Sequence, residues 1–592
     1  MANSSAHPNF DYASVPLPSP ESIRLLSVQH TESTNETTGE TTRGTEFSLV
    51  AFALDDAPPY HAVSYVWGSN TRDRPLTLAS GHTLWITENL QIALKDVVEH
   101  CSEGYLWIDQ LCINQDSLPE KNVQVPLMGK IYSRSHETLI FIAPVESPLL
   151  GELLRSHKSY RVQFDAQEDD ATPPDATQRK NMTWNPNVHH GHYQAVMTLM
   201  DKPWFRRAWV VQEFVLSQRH KFLIAGEFLE IGDLNDIFTV YGVLTLSSKK
   251  LGIPKGMKRS DMYSSIRHGN AAMRIATILD HKDAGQTGNL IYYLDKLASR
   301  SLVSDQKDLV YAFLGLQNAF DIHVDYGLTA EQVFIASARA IIAQSHSLAL
   351  LGYSKRKFVE GIDEEHKREL IPSWVPDWRM GALSVNFEHL RGIESSSIFS
   401  ASQGRLLREV PNSVQGQLHT CGRVIDEIQL RSELDHTFWY VYVNWSLLQG
   451  IFTVACSIEK DEPRLMKVLL AEGCWGSNVA WSYNDHEAQI LQELDQVKRG
   501  ISLAADTIID QKGYISYGRT LFKGIGDRYG LATTDIQVGD LICILHGSSV
   551  PMILRGLSSN TYQFIGQCYF EDCMHGEAVT WDEDDADEFV LV

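Results

Sequence analysis

In WFRRAWVVQE, residues 204–213, Glu213 follows Trp209 by four residues, so on a helix the carboxylate and the indole share a face. Arg206, seven residues before Glu213, lies close to that face. A carboxylate beside an aromatic ring suits a ribose. It accepts hydrogen bonds from the sugar hydroxyls and stabilises an oxocarbenium-like centre. The plainer alternative is an ion pair of Glu213 with Arg206 or Arg207, and residue pattern alone favours it. Polar residues also interrupt two apolar runs. One ends in Trp67-Gly68-Ser69-Asn70, the other in Asp109-Gln110 and then Cys112-Ile113-Asn114-Gln115-Asp116. Ligands bind beyond the carboxyl ends of parallel strands, so both sets would sit on one rim. The alternative for Asp109 is a structural carboxylate that caps its own loop.

Other patterns carry less. No Walker A, HExxH, paired CxxC or GxSxG motif occurs. Gly524, Gly526 and Gly530 have the wrong spacing for a phosphate loop and read as an ordinary loop. Cys568, Cys573 and His575 read as packed thiols near a histidine rather than metal ligands. His189, His190 and His192 read as part of a polar loop. No metal site and no resident cofactor are expected.

The elements that would position the rim alternate. Apolar runs at 23–28 and 47–54 flank a Thr-, Glu- and Gly-rich insert, predicting a hairpin with a disordered loop at about 31–46. Residues 62–67 read as a buried strand. Residues 76–78 and 84–86 read as a short hairpin turning at Ser80-Gly81. Thr87 caps a helix whose buried face carries Leu90, Leu94, Val97 and Val98. A strand at 105–108 leads to a capping-box pattern, Ser117 with Glu120, and a helix interrupted by Pro126. A strand at 138–143 follows. After an insertion at about 146–190 come a helix at 193–217, broken at Pro203, and a strand at 221–225. Strand–helix alternation with short apolar strands predicts an α/β fold around a mostly parallel sheet. A mainly helical region is expected at 246–400, and a mixed α+β region at 401–592. In the latter, GDLICILHGSSVPMILR at 539–555 reads as two barrel strands around a turn, and DEDDADE at 582–588 as a solvated acidic end.

The chain has 592 residues, 43% apolar and 21% charged, an ordinary globular composition. Its 51 Lys and Arg against 74 Asp and Glu give a net charge of −23. That balance argues against nucleic acid as a partner and against adsorption to anionic lipid. Eight scattered cysteines point to a reducing, cytoplasmic setting. No secretory signal opens the chain, and Ala2 excludes N-myristoylation. Residues 438–458 lack charge, but Asn444, Ser446, Gln449 and Gly450 favour a buried helix over a membrane span.

Four blocks in order resemble the fungal heterokaryon-incompatibility (HET) domain: YHAVSYVWG at 60–68, LWIDQLCINQD at 106–116, EKNVQVPLMGKIYSRS at 120–135 and WFRRAWVVQE at 204–213. The resemblance covers roughly 20–245. Pro126 and Ser135 depart from it, standing where the family usually has a helix-compatible residue and an alanine. DLVYAFLGL at 308–316, PSWVPDW at 372–378 and the 539–555 block resemble the long C-terminal region of large HET proteins. The resemblance implies non-self recognition and regulated cell death. The family is distantly similar to TIR domains, which have a flavodoxin-like fold, and several of which cleave NAD with a glutamate in a W-x-x-x-E pattern. Carried over, this implies Glu213 as catalytic, with Trp67, Gly68, Asp109, Asn114, Arg207 and Trp209 around NAD as substrate. The alternative is a non-enzymatic module that self-associates or binds an incompatibility partner.

Overall fold

In the computed structural model, the described residues are 8–34, 41–100, 104–142, 147–168, 190–234, 237–238, 290–298, 301–316, 320–354, 371–379, 397, 399–407, 416–432, 461–471, 483–499, 519–558 and 560–592. The segment 438–458 and His189 lie outside them. The chain forms two compact units. The first comprises residues 1–288, 300–318 and 323–327, and the second the remainder. The first unit therefore draws on chain well past residue 245.

The first unit is built on a seven-stranded sheet of order β2-β1-β6-β3-β7-β8-β9. Its strands are β1 Ser22–Thr34, β2 Thr41–Ala53, β3 Tyr60–Ser64, β6 Gly104–Trp107, β7 Glu137–Phe141, β8 His220–Ile224 and β9 Glu227–Leu229. A separate hairpin pairs β4 Arg74–Thr77 with β5 Thr83–Ile86, and Gly81 in its turn has φ 79°. The four central strands β6, β3, β7 and β8 are parallel, and the edges are antiparallel. The fold is thus mixed α/β with a parallel centre. Every residue of β7 is buried, as a central strand covered on both faces must be. The first hairpin is longer than its apolar runs, because β1 and β2 stay paired out to Thr34 and Thr41.

Helices supply the crossovers that parallel pairs require: α1 Glu88–His100, α2 Asp109–Cys112, α3 Leu118–Arg134, α4 Pro148–Glu168, α5 His190–Met200 and α6 Trp209–Val215. Thr87 Oγ1 accepts from the Leu90 N–H and starts α1. Only half of the expected capping box forms on α3. Ser117 Oγ accepts from the Glu120 N–H at 3.3 Å, while the Glu120 carboxylate turns to Arg24 Nη1 at 2.6 Å and the Asn114 N–H at 2.7 Å. Helix α3 runs through Pro126, and Ser135 closes it. The stretch around Pro203 is a 3-10 turn, Pro203–Arg206, separating α5 from α6, so Arg206 is not on the helix of Glu213. His190 and His192 lie in the first turn of α5 rather than in a loop.

The second unit holds helices Leu290–Lys296, Ala330–Ser345, Glu462–Leu469 and Tyr483–Lys498 and a ring of strands. These are β10 Leu418–Arg431, β11 Arg519–Gly524, β12 Tyr529–Thr533, β13 Leu541–Leu545, β14 Met552–Ser558, β15 Thr561–Phe570 and β16 Asp587–Leu591. The order β11-β12-β15-β14-β13-β10 closes through β10–β11, and β16 pairs with β10 and β15. The 539–555 block forms two antiparallel strands, as its pattern implies. The acidic run does not hang free: Asp587 and Glu588 open β16, and Glu588 meets His419. A Cβ on Gly530 would meet the Phe522 ring at 2.2 Å, so that glycine serves ring packing. Cys568 and Cys573 are buried in the barrel core while His575 is exposed. Among the described residues no three His, Cys, Asp or Glu side chains are grouped to hold a metal, and no helix is long and apolar enough to cross a membrane.

Candidate functional site

The carboxyl ends of β3 and β6 lie side by side, because the two strands pair in parallel from Tyr60↔Tyr105 to Ala62↔Trp107. Ser64 ends β3 and is followed by Tyr65 and Trp67, and Asp109 follows β6. Helix α6 adds Glu213 and the residue before its cap adds Arg207.

Glu213 is 2% exposed. Its Oε2 accepts a short hydrogen bond from Ser64 Oγ, and Ser64 Oγ accepts from Trp204 Nε1 at 2.8 Å. The result is a directed chain of indole, hydroxyl and carboxylate. Burial pushes the Glu213 carboxyl up to about 7, with Asp109 also raising it, against the opposing pull of Arg207 and the Ser64 hydroxyl. Glu213 therefore titrates near neutrality.

Asp109 accepts from Trp67 Nε1 at 2.8 Å and from the Gln110 N–H at 2.7 Å. Burial holds its carboxyl above the usual range, opposed by Arg207, Trp67, the Gln110 N–H and Tyr65. Tyr65 is buried beside it, with its hydroxyl near the Asp109 carboxylate. Arg207 donates a short hydrogen bond to the Tyr65 carbonyl. Its charge reaches both carboxylates. Two carboxylates and one guanidinium thus share the rim.

Four of the seven residues singled out from sequence converge here: Trp67, Asp109, Arg207 and Glu213. The other three face elsewhere. Gly68 shapes the turn: it has φ +74°, and a Cβ there would meet Asn89 Nδ2 at 2.6 Å while that amide holds the Val66 carbonyl. The Asn114 side chain accepts from the Asp116 N–H at 3.2 Å and organises its own loop. The Trp209 indole lies against the Asp308 carboxylate. The spacing of Trp209 and Glu213 brings them onto one helix, yet the indole linked to the carboxylate, through Ser64, is that of Trp204. Ser64, Tyr65 and Trp204 escaped the sequence argument. Their signal was a serine at the buried end of an otherwise apolar strand, which requires a polar partner.

The arrangement places a buried carboxyl, raised toward neutrality, near a guanidinium and two indoles. That chemistry suits stabilisation of developing positive charge on a sugar and recognition of polar groups around it.

Residues 60–213 match the family model described as heterokaryon incompatibility protein (HET), and residues 482–592 the one described as Het-6 beta-barrel domain. Over the full length of both chains, this one is 23% identical to "Heterokaryon incompatibility protein 6, OR allele" of Neurospora crassa. No solved structure matches the chain.

Proposed function

Because this is a fungal HET-domain protein that also carries a Het-6 β-barrel domain, we propose that it acts in heterokaryon incompatibility as an effector of non-self recognition and regulated cell death. Its N-terminal unit does so by cleaving the nicotinamide–ribose bond of NAD at the rim site. The observation that carries this reading is the pair of carboxylates, Asp109 held by Trp67 and Glu213 held by Ser64, near the Arg207 guanidinium at the carboxyl edge of the parallel strands. The parallel strands, taken in chain order, lie as second, first, third and fourth. Those four strands follow the start of a flavodoxin-like order, with the direction of winding reversing at β3, where such sheets bind ligands. That order supports the likeness to TIR domains.

In the reaction the N-glycosidic bond breaks and its electron pair leaves with nicotinamide. The ring nitrogen is cationic in NAD and becomes neutral, so departure needs no acid. Ionised Glu213 accepts from the ribose hydroxyls and stabilises positive charge at the anomeric carbon. Water adds to that carbon and gives ADP-ribose and a proton. Arg207 faces a phosphate and Trp67 stacks on a ring. The cytoplasm, where NAD is abundant and cysteines stay reduced, is the setting this reading requires.

The test is chromatographic. The full chain is incubated with NAD, alone and under crowding conditions that promote assembly, beside Glu213→Gln. Nicotinamide and ADP-ribose from the wild type only are expected. No product from folded, assembled wild-type protein contradicts the reading.

A second reading draws on one observation: Glu213 is 2% exposed and already bonded to Ser64. In it the rim is a structural network, and the unit acts by self-association or by binding an incompatibility partner. Unchanged assembly and signalling in Glu213→Gln would favour it.

A further inference from the structure

The helix that carries Glu213 is poorly equipped to hold itself. Helix α6 is seven residues long, and its N-cap, Ala208, offers no side-chain hydrogen bond. Helices this short are not stable alone, and alanine is a weak cap. Its neighbours must fix it.

The grip comes from far along the chain. Residues 300–318 and 323–327 belong to the first unit. Leu302 pairs with the backbone on both sides of Arg207: its N–H donates to the Arg206 carbonyl at 2.6 Å, and its carbonyl accepts from the Ala208 N–H at 3.3 Å. Asp308 accepts from the Tyr326 hydroxyl at 2.7 Å, and its carboxylate lies beside the indole of Trp209, the first residue of α6. The Gly315 N–H donates to Oε1 of Gln212, the residue before Glu213, at 3.2 Å. Tyr326 is itself anchored, since its N–H donates to Asn122 Oδ1 at 2.9 Å and Lys121 Nζ lies 4.2 Å from its ring centroid. Close approach makes this possible. A Cβ on Gly129 of α3 would come within 3.1 Å of the Gly315 Cα, so both positions are glycine where the two backbones meet.

We infer that the segments 301–316 and 323–327 form a strap that sets the positions of Arg207 and Glu213, with Asp308 as its positioning residue. The strap lies outside residues 60–213, so the rim site is completed by chain that the HET family model does not span. The exchange test below is independent of the reaction; only its kinetic arm rests on the NAD reading.

The experiment is amide hydrogen exchange on the full chain, comparing 210–216 of α6 with β7 of the same unit. Asp308→Ala is expected to speed exchange in α6 roughly tenfold or more while β7 keeps its protection. Trp209→Phe, which removes the indole N–H facing Asp308, should match it, and the double variant should add nothing further. Asp308→Asn, which keeps an acceptor, should restore most of the protection. Gly129→Ala touches no carboxylate, and by wedging the strap off α3 it should raise α6 exchange in the same pattern. Unchanged exchange in α6, or equal acceleration in β7, overturns the inference. In the kinetic arm, Asp308→Ala should lower kcat for nicotinamide release roughly tenfold or more with little change in KM. If wild type releases no nicotinamide, the NAD reading fails and the exchange data still decide the strap.

Discussion

Carboxylates in the barrel and on the rim are buried alike but neutralised differently. In the barrel each one meets its own arginine. Asp540 accepts from Arg555 Nε at 2.7 Å and Nη2 at 2.8 Å, and Glu571 from Arg464 Nε at 2.9 Å and Nη2 at 2.8 Å. Asp426 accepts from Arg528 Nη2 at 3.0 Å. Backbone N–H groups of Gln537, Tyr529 and Glu427 complete these sets. On the rim, Glu213 has a hydroxyl and Asp109 an indole and one N–H, and the nearby Arg207 guanidinium donates to the Tyr65 carbonyl. Barrel carboxylates are clasps whose charge is spent on the fold. The rim keeps carboxylates short of neutralisation, which is what a group reserved for a ligand needs.

The contrast can be broken at several points. Arg555→Ala leaves Asp540 charged and buried without its partner, and should cost about 3 kcal/mol in denaturant melts. A much smaller loss would mean the clasps are ornamental and the contrast empty. The rim should show in pH dependence. A carboxyl raised from 4.5 to about 7 binds its proton more tightly in the folded chain, so the stability it confers is complete below about pH 4.5 and lost as pH rises through 7. That share is about 3 kcal/mol, and Glu213→Gln should flatten the slope. Asp308, pushed up to about 6 by burial, adds a slope of the same sign. A profile identical in wild type and Glu213→Gln would contradict the rim's electrostatics. Ser64→Ala removes the donor to Glu213 and the acceptor of Trp204, and should cost about 2 kcal/mol while moving the Glu213 titration further up. Gly68→Ala, strained at φ +74° and crowding Asn89, should cost about 1 kcal/mol.

Much of the sheet was legible because its strands are short apolar runs between clear caps, as at Thr87 and Ser117. The hairpin arm was not, since Thr-rich strands out to Thr34 and Thr41 carry no apolar alternation to mark them. The rim was read through its polar interruptions, and Trp67, Asp109, Arg207 and Glu213 do meet. Asn114 misled because a loop asparagine serves its own backbone as readily as a ligand. Trp209 misled because helical spacing says which residues share a face but not what opposes it, and here Asp308 does, from chain that no local pattern links to α6. Arg206 was placed near Glu213 by a helical count that the 3-10 turn at Pro203 breaks.

The most direct measurement sets stability and turnover of Glu213→Gln side by side in one preparation. Glutamine keeps the shape and accepts from Ser64 but carries no charge. If the carboxylate is held for chemistry, its melting point at pH 8 should equal or exceed that of wild type while nicotinamide release falls by roughly a hundredfold or more. A lower melting point with unchanged turnover of NAD would make Glu213 one more clasp and contradict the account.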